Sequence, residues 1–208
     1  MVCFLCFDPK PPEGAVRNPK YAAMMQYQSN PNAYAVSLMD APGKEPLACV
    51  ATCLTVCCGL PACYYRKKAL ETVGRGVEDY VCCQGYFPGC CGCEPATQCQ
   101  GQMAGLLLEG CCCPTLSLSF TRILLMDVLK LQPDPVDYQM IAFSNACQVL
   151  ACICDVLSMF IEDLRDAADV IDCIADLVTF SVAGCMGAQI EHELKSAAPL
   201  AQQMNRAA

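Results

Sequence analysis

Thiols are the first residues here that could do chemistry. Between residues 82 and 113 the chain carries Cys82, Cys83, Cys90, Cys91, Cys93 and Cys99, then the run Cys111-Cys112-Cys113. A zinc site takes four thiolate or imidazole ligands, usually as two close pairs. Cys90 and Cys93 make one Cys-x-x-Cys pair, so Cys90, Cys93, Cys99 and Cys112 form a candidate thiolate-only zinc set. Two other readings stand beside it. The thiols can be small buried hydrophobes, or acylated or redox-active groups. Adjacent side chains diverge, so one ion does not collect all of 111–113, and at least one of the three is expected to face the core.

A second thiol pair, Cys3 and Cys6, sits among Phe4, Leu5 and Phe7 in the opening "MVCFLCF". That setting suits S-acylation at a membrane surface, where two lipid chains would anchor stably. The competing reading is an apolar plug docking on the protein's own core.

The third constellation is acidic. Asp155, Glu162, Asp169 and Asp176 recur every seven residues, with Asp166 between. On one continuous helix they stay within about ±40° of a line. Leu164, Ile171, Ile174 and Val178 fall on the other face, an amphipathic pattern. Such a stripe serves as a solvated face, a surface for a basic partner, or a cation path between helices. The last draws weight from the apolar flanks, where an acid is costly unless it has a function.

No catalytic set is visible. His192 is the single histidine, so a Ser–His–Asp or Cys–His arrangement would lean on one residue near the C-terminus. "GRG" at 74–76 is too short for a phosphate-binding loop. The expectation is a protein that is not an enzyme.

These groups are carried by an unusual background. Of 208 residues, 21 are Cys, 55% are hydrophobic and only 16% are charged, with net charge −8. Cysteine at that density is a disulfide scaffold only in an oxidising compartment. The N-terminus has no basic region, apolar run or cleavage site of a secretory signal. The expected location is therefore the cytoplasmic face of a membrane, or the cytoplasm within a large assembly, with thiols mostly reduced. The acidic balance excludes a basic nucleic-acid footprint. The apolar content calls for membrane contact, a protein partner or a homo-oligomer.

Elements follow from composition. Prolines 9, 11, 12, 19, 31 and 42 keep residues 1–45 in an extended N-terminal arm. Residues 46–200 form a Cys-rich helical domain and 201–208 a tail. Within that domain, 47–65 is uncharged and precedes Arg66-Lys67-Lys68, close to the length and flank of a membrane span. Gly59 and Pro61 break it near its end, which favours a buried core helix as the alternative. Residues 74–114, dense in Gly, Pro and Cys, are expected as loops and short helical turns. From 115 the chain turns helical. "QPDPVD" stops one helix and starts the next, with Asp134 as N-cap, Pro135 at the first position and Asp137 in the first turn. The proline-free run after it should hold two or more long helices, breaking near Ser144–Asn145 or Gly184. The fold class is all-α: long helices in the C-terminal half, an irregular Cys/Gly/Pro-rich centre and an extended arm.

"CMGAQIEHELK", residues 185–195, resembles the closing motif of the placenta-specific cysteine-rich family, which includes cornifelin, plant cell-number regulators and plant cadmium-resistance proteins. Cys185, Gln189, Glu193, Leu194 and Lys195 fall in register, and "EGCCCP", Glu109 to Pro114, is similar to the family's Cys-Cys-Pro element. Asp176 and Phe180 stand where that family has cysteines. The resemblance implies a small, membrane-associated, often oligomeric protein without enzymatic activity.

Overall fold

A computed structural model describes residues 27–85, 100–133 and 135–207. The fold is all-α, with helices concentrated in the C-terminal half. Helices run α1 Ala41–Lys44, α2 Pro46–Thr55, α3 Leu60–Thr72, α4 Met103–Cys112, α5 Pro114–Leu129, α6 Pro135–Ser158 and α7 Arg165–Ala207. Two short strands, β1 Asn32–Ala33 and β2 Leu131–Gln132, pair in parallel with Asn32 opposite Leu131.

Proline and glycine set the corners. Between α2 and α3 the chain passes through one turn of 3₁₀ helix, then Gly59 at φ 68°, and the axis swings by 116°. Gly59 has no Cβ to oppose that left-handed geometry. Between α4 and α5 only Cys113 intervenes, and the axis swings by 119°. Pro114 opens α5 and pushes the residue before it out of the helical region; Cys113 accordingly sits at φ −142°. The bend expected at Gly59 and Pro61 is present, so 46–72 is two helices and not one straight rod.

α5 is the buried axis of the core. Every residue from Ser117 to Met126 on it is buried, with α3 on one side and α7 on another. Leu38, Leu70, Leu106, Leu118, Leu125 and Ile190 are fully enclosed around it, each contributing about 1.5–3 kcal/mol. α7 is the second organiser and touches α1, α2, α3, α5 and α6.

Its two halves differ. From Val182 to Leu194 α7 lies in the core. From Arg165 to Ser181 it pairs antiparallel with α6, through Ser144 Oγ with Thr179 Oγ1 at 3.1 Å and Gln148 Nε2 donating to Thr179 Oγ1 at 2.9 Å. The core reaches Ile141 and Ser144 on α6. Beyond Ser144 the α6–α7 hairpin stands clear of it, and α6 alone continues for roughly 20 Å.

The described part of the arm, 27–45, is docked. Leu38 is fully buried, its N–H donates to Asp137 Oδ1 at 3.0 Å, and Ala35 N–H donates to Glu193 Oε1 at 2.6 Å.

Two expected boundaries move. The long C-terminal run breaks at neither Ser144 nor Gly184. The Ser144 hydroxyl is engaged sideways with Thr179. Gly184 is a contact point inside α7, where an added Cβ would lie 3.0 Å from the Cys49 carbonyl oxygen. The break falls after Ser158, whose hydroxyl bonds back to Asp155 O. One 3₁₀ turn, Glu162–Leu164, then reverses the chain. The segment expected as a tail from 201 continues α7 to Ala207. Asp134, the expected N-cap, lies outside the described residues.

Candidate functional site

Gly59 and Gly110 bring the two corners together. A Cβ on Gly59 would sit 2.3 Å from the carbonyl carbon of Gly110, so only glycine permits that approach. Cys111 Sγ then reaches Cys58 O at 3.5 Å, and Cys63 Sγ reaches Leu106 O at 3.4 Å. Cys57, Cys58, Cys111 and Cys112 are exposed on the joined corner, Cys113 is half-buried, and Cys63 is buried. The three adjacent cysteines therefore diverge as expected, two outward and one partly inward. Leu54, Leu60 and Leu108 rim the patch at 72%, 58% and 61% exposure.

Beneath the corner lies a polar core. Arg66 on α3 is fully buried and donates four ways: Nε to Thr121 Oγ1 at 2.9 Å, Nη1 to Gln84 Oε1 at 3.2 Å, and Nη2 to Glu109 Oε1 at 3.2 Å and Ser117 O at 2.9 Å. Glu109, on the helix turn below Cys111, also accepts Tyr80 OH at 2.8 Å and Cys83 N–H at 2.7 Å on Oε2. Burial, reinforced by that carboxylate, pushes the Tyr80 phenol well above its usual range and keeps it a donor. Cys83 and Gln84 hold left-handed φ near 52° and 51°, a costly geometry for side-chained residues. The bonds from Glu109 and Arg66 fix both.

Cys82 Sγ, Cys83 Sγ and a Glu109 oxygen lie within 4.8 Å of one another, a ligand-like trio. Its chemistry fits a cation poorly. Both Glu109 oxygens already accept hydrogen bonds, and the Arg66 guanidinium occupies the position next to them. Of the candidate zinc set, Cys112 is exposed and belongs to no such trio among the described residues. Cys90, Cys93 and Cys99 lie outside the described residues, as do Cys3 and Cys6.

The acidic residues do not form one stripe. The reversal at 159–164 separates Asp155 on α6 from Asp166, Asp169 and Asp176 on α7; the side chain of Glu162 is not described. The hairpin nevertheless regroups them. Asp155 faces Asp172 across it, with Asp169 and Asp176 within electrostatic reach. Asp176 Oδ1 accepts from Gln148 Nε2 at 3.3 Å. Asp172 escaped the sequence reading because it falls off the seven-residue repeat, and only the antiparallel pairing brings it in. On the opposite face Leu164, Ile171 and Val178 are half-buried and Ile174 is exposed. At the hairpin root a cavity of about 440 Å³ is lined by Cys57, Cys112, Cys113, Gln148, Asp176 and Phe180, among others.

Away from the hairpin the charges pair. Lys68 Nζ meets Glu191 at 2.7 Å. Lys195 Nζ meets Glu45 Oε2 at 2.5 Å, with His192 Nδ1 at 3.6 Å from Oε1. The hydrogen bond from Lys195 holds the Glu45 carboxyl below its ordinary 4.5. A depressed carboxylate stabilises the fold above its unfolded value, and the gain is lost as pH falls through the folded one. Glu45→Gln is therefore expected to melt below the parent protein at pH 6, with the gap narrowing as pH falls below 4.5, followed by circular dichroism. Equal melting at pH 6 would contradict this.

No family model, curated protein or solved structure matches the chain. The motifs that resemble the placenta-specific cysteine-rich family have a structural place in this fold. Gln189 Nε2 donates to Val36 O at 3.0 Å and Asp137 Oδ2 at 2.9 Å. Glu193 holds Ala35, and Glu109 holds Arg66. These residues tie the arm and the corner to the core.

Proposed function

We propose that this chain is a non-catalytic, membrane-associated structural or interaction protein. It acts by contact, as an oligomer or with protein partners, on the cytoplasmic side of a membrane or within a large assembly there. One observation carries the reading. Gln139–Ser158 and Arg165–Ala197 are each long and apolar enough to cross a bilayer. Where they leave the core as a hairpin, they expose Leu150, Ile153, Leu157, Met159, Phe160 and Leu177. An apolar surface of that extent marks a lipid or protein contact. The paired charges of Glu45, Lys68, Glu191, His192 and Lys195 lie on the core half of α7 and the helices around it, a pole suited to water. Anchoring by acylated Cys3 and Cys6 belongs to the same reading.

Alkaline carbonate extraction tests it. The full chain is expected to stay in the membrane pellet. Leu150→Arg, Ile153→Arg and Leu177→Arg together should release most of it, because an arginine near a helix centre costs insertion about 2.5–3.5 kcal/mol. A parent chain found in the supernatant defeats the proposal.

A second reading is favoured by the grouped acids. Asp155, Asp169, Asp172 and Asp176 on an apolar hairpin are costly against lipid unless they face another copy or water. An oligomer would place them around a cation path, with zinc as the bound metal if the thiols take part. Asp169→Asn with Asp176→Asn should then abolish cation flux in reconstituted vesicles. Unchanged flux removes this reading.

A further inference from the structure

We propose that the joined corner of α2–α3 and α4–α5 is an S-acylation site. Cys57, Cys58, Cys111 and Cys112 are its acceptors and a long-chain fatty acyl thioester its substrate. The inference rests on the membrane reading above and names a site that reading does not contain.

Three observations converge on it. Four exposed thiols come from segments 53 residues apart in sequence and meet because Gly59 and Gly110 touch. Their surroundings are apolar and open, with Leu54, Leu60 and Leu108 mostly exposed. Finally, the corner segments bring no side-chain charge of their own to that surface, and the nearby Asp176 belongs to the hairpin-root cavity beside Cys57 and Cys112. The chain carries none from 46 to 65 or from 95 to 108, and Glu109 turns inward to Arg66. An uncharged, apolar, thiol-bearing surface settles at the level where acyl thioesters partition.

Other uses of the thiols fit less well. Among the described residues none of the four belongs to a trio of metal ligands. Cys57 and Cys58 are sequence neighbours with sulfurs 3.8 Å apart, well beyond the bonded distance of about 2 Å.

The step is a thioester exchange. A cysteine sulfur attacks the acyl carbonyl carbon and the new C–S bond forms. The bond to the carrier thiol breaks, and the cysteine proton leaves with that thiol. No oxidant or reductant is involved.

The test uses the full chain, made in a eukaryotic cell and recovered from both membrane and soluble fractions. Free thiols are blocked with N-ethylmaleimide. Thioesters are cleaved with hydroxylamine and the released thiols tagged with a second maleimide. Tryptic peptides 45–66 and 76–122 then report the corner, and 1–17 reports Cys3 and Cys6. Hydroxylamine-dependent tags are expected on at least one of Cys57 and Cys58 and one of Cys111 and Cys112, with Cys63 untagged. The variant Cys57→Ser, Cys58→Ser, Cys111→Ser, Cys112→Ser should lose all tags from the first two peptides. Because the parent chain is mapped directly, a misfolded variant does not spoil the result. Blocking maleimide on all four thiols in membrane-bound chain overturns this inference and leaves the membrane reading intact. Four free thiols on soluble chain overturn both. Tags that depend on a disulfide reductant and not on hydroxylamine overturn it as well.

Discussion

Arg66→Met is expected to destabilise the protein by about 3–5 kcal/mol, the usual cost of removing one partner from a buried ion pair. Arg66 is fully buried, and four acceptors converge on it: Thr121 Oγ1, Gln84 Oε1, Glu109 Oε1 and Ser117 O. Methionine fills part of the volume and satisfies none of them. The larger penalty falls on Glu109, whose carboxylate keeps its bonds from Tyr80 and Cys83 but loses its only cationic neighbour in that network. Three chain segments then lose their common tie: α3, the turn at 82–85 and the α4–α5 corner. The left-handed Cys83 and Gln84 are each held by this pair, so the turn should relax first. Chemical denaturation in detergent, read by circular dichroism, measures the loss.

The double variant separates charge from packing. With Arg66→Met and Glu109→Gln together, no uncompensated charge remains, and removing both partners costs less than removing one. More than half of the lost stability should return. If the double variant is as unstable as the single, packing and the neutral hydrogen bonds around Arg66 carry the site, and the ion pair does not.

How much of this was readable from residues alone follows from the range of each interaction. Pro114, Pro135 and Gly59 act on their own backbone, so the α5 start, the α6 start and the α2–α3 break were legible. The Arg66–Glu109 pair was not. Arg66 read as one of three basic residues flanking an apolar run, and Glu109 only as the first residue of "EGCCCP". Nothing local says that the two corners fold over each other. The acidic stripe failed for a related reason. A seven-residue repeat is meaningful only while the helix continues, and the reversal after Ser158 has no proline or glycine to announce it. The motif Cys185–Lys195 was legible as a pattern, yet its bonds run to Val36, Ala35 and Asp137, positions no periodicity links to it. The joined thiol corner needed both kinds of information: local breaks at Gly59 and Pro114, and the long-range contact at Gly110.

Gly59→Ala is the second large expected effect, on the order of 3 kcal/mol, and two costs add. At φ 68° the backbone is left-handed, which a Cβ penalises by about 1–2 kcal/mol. The same Cβ would then lie 2.3 Å from the Gly110 carbonyl oxygen and 2.6 Å from Cys111 N. Both neighbours are backbone, so no side chain can swing aside; overpacking of this kind costs about 1–3 kcal/mol. The relief available is to part the corners, which breaks the contacts of Cys63 with Leu106 and of Cys111 with Cys58. Cys63, buried in the parent protein, should therefore react with maleimide at least tenfold faster in the variant. Gly43→Ala is the control. Gly43 lies in α1 with open space around its position and no left-handed φ, so alanine there should leave stability level or slightly raised. A Gly59→Ala protein with parental stability and a protected Cys63 would mean that the corners do not touch in solution. The buried Arg66–Glu109 tie would then be bearing the α3–α4 junction alone.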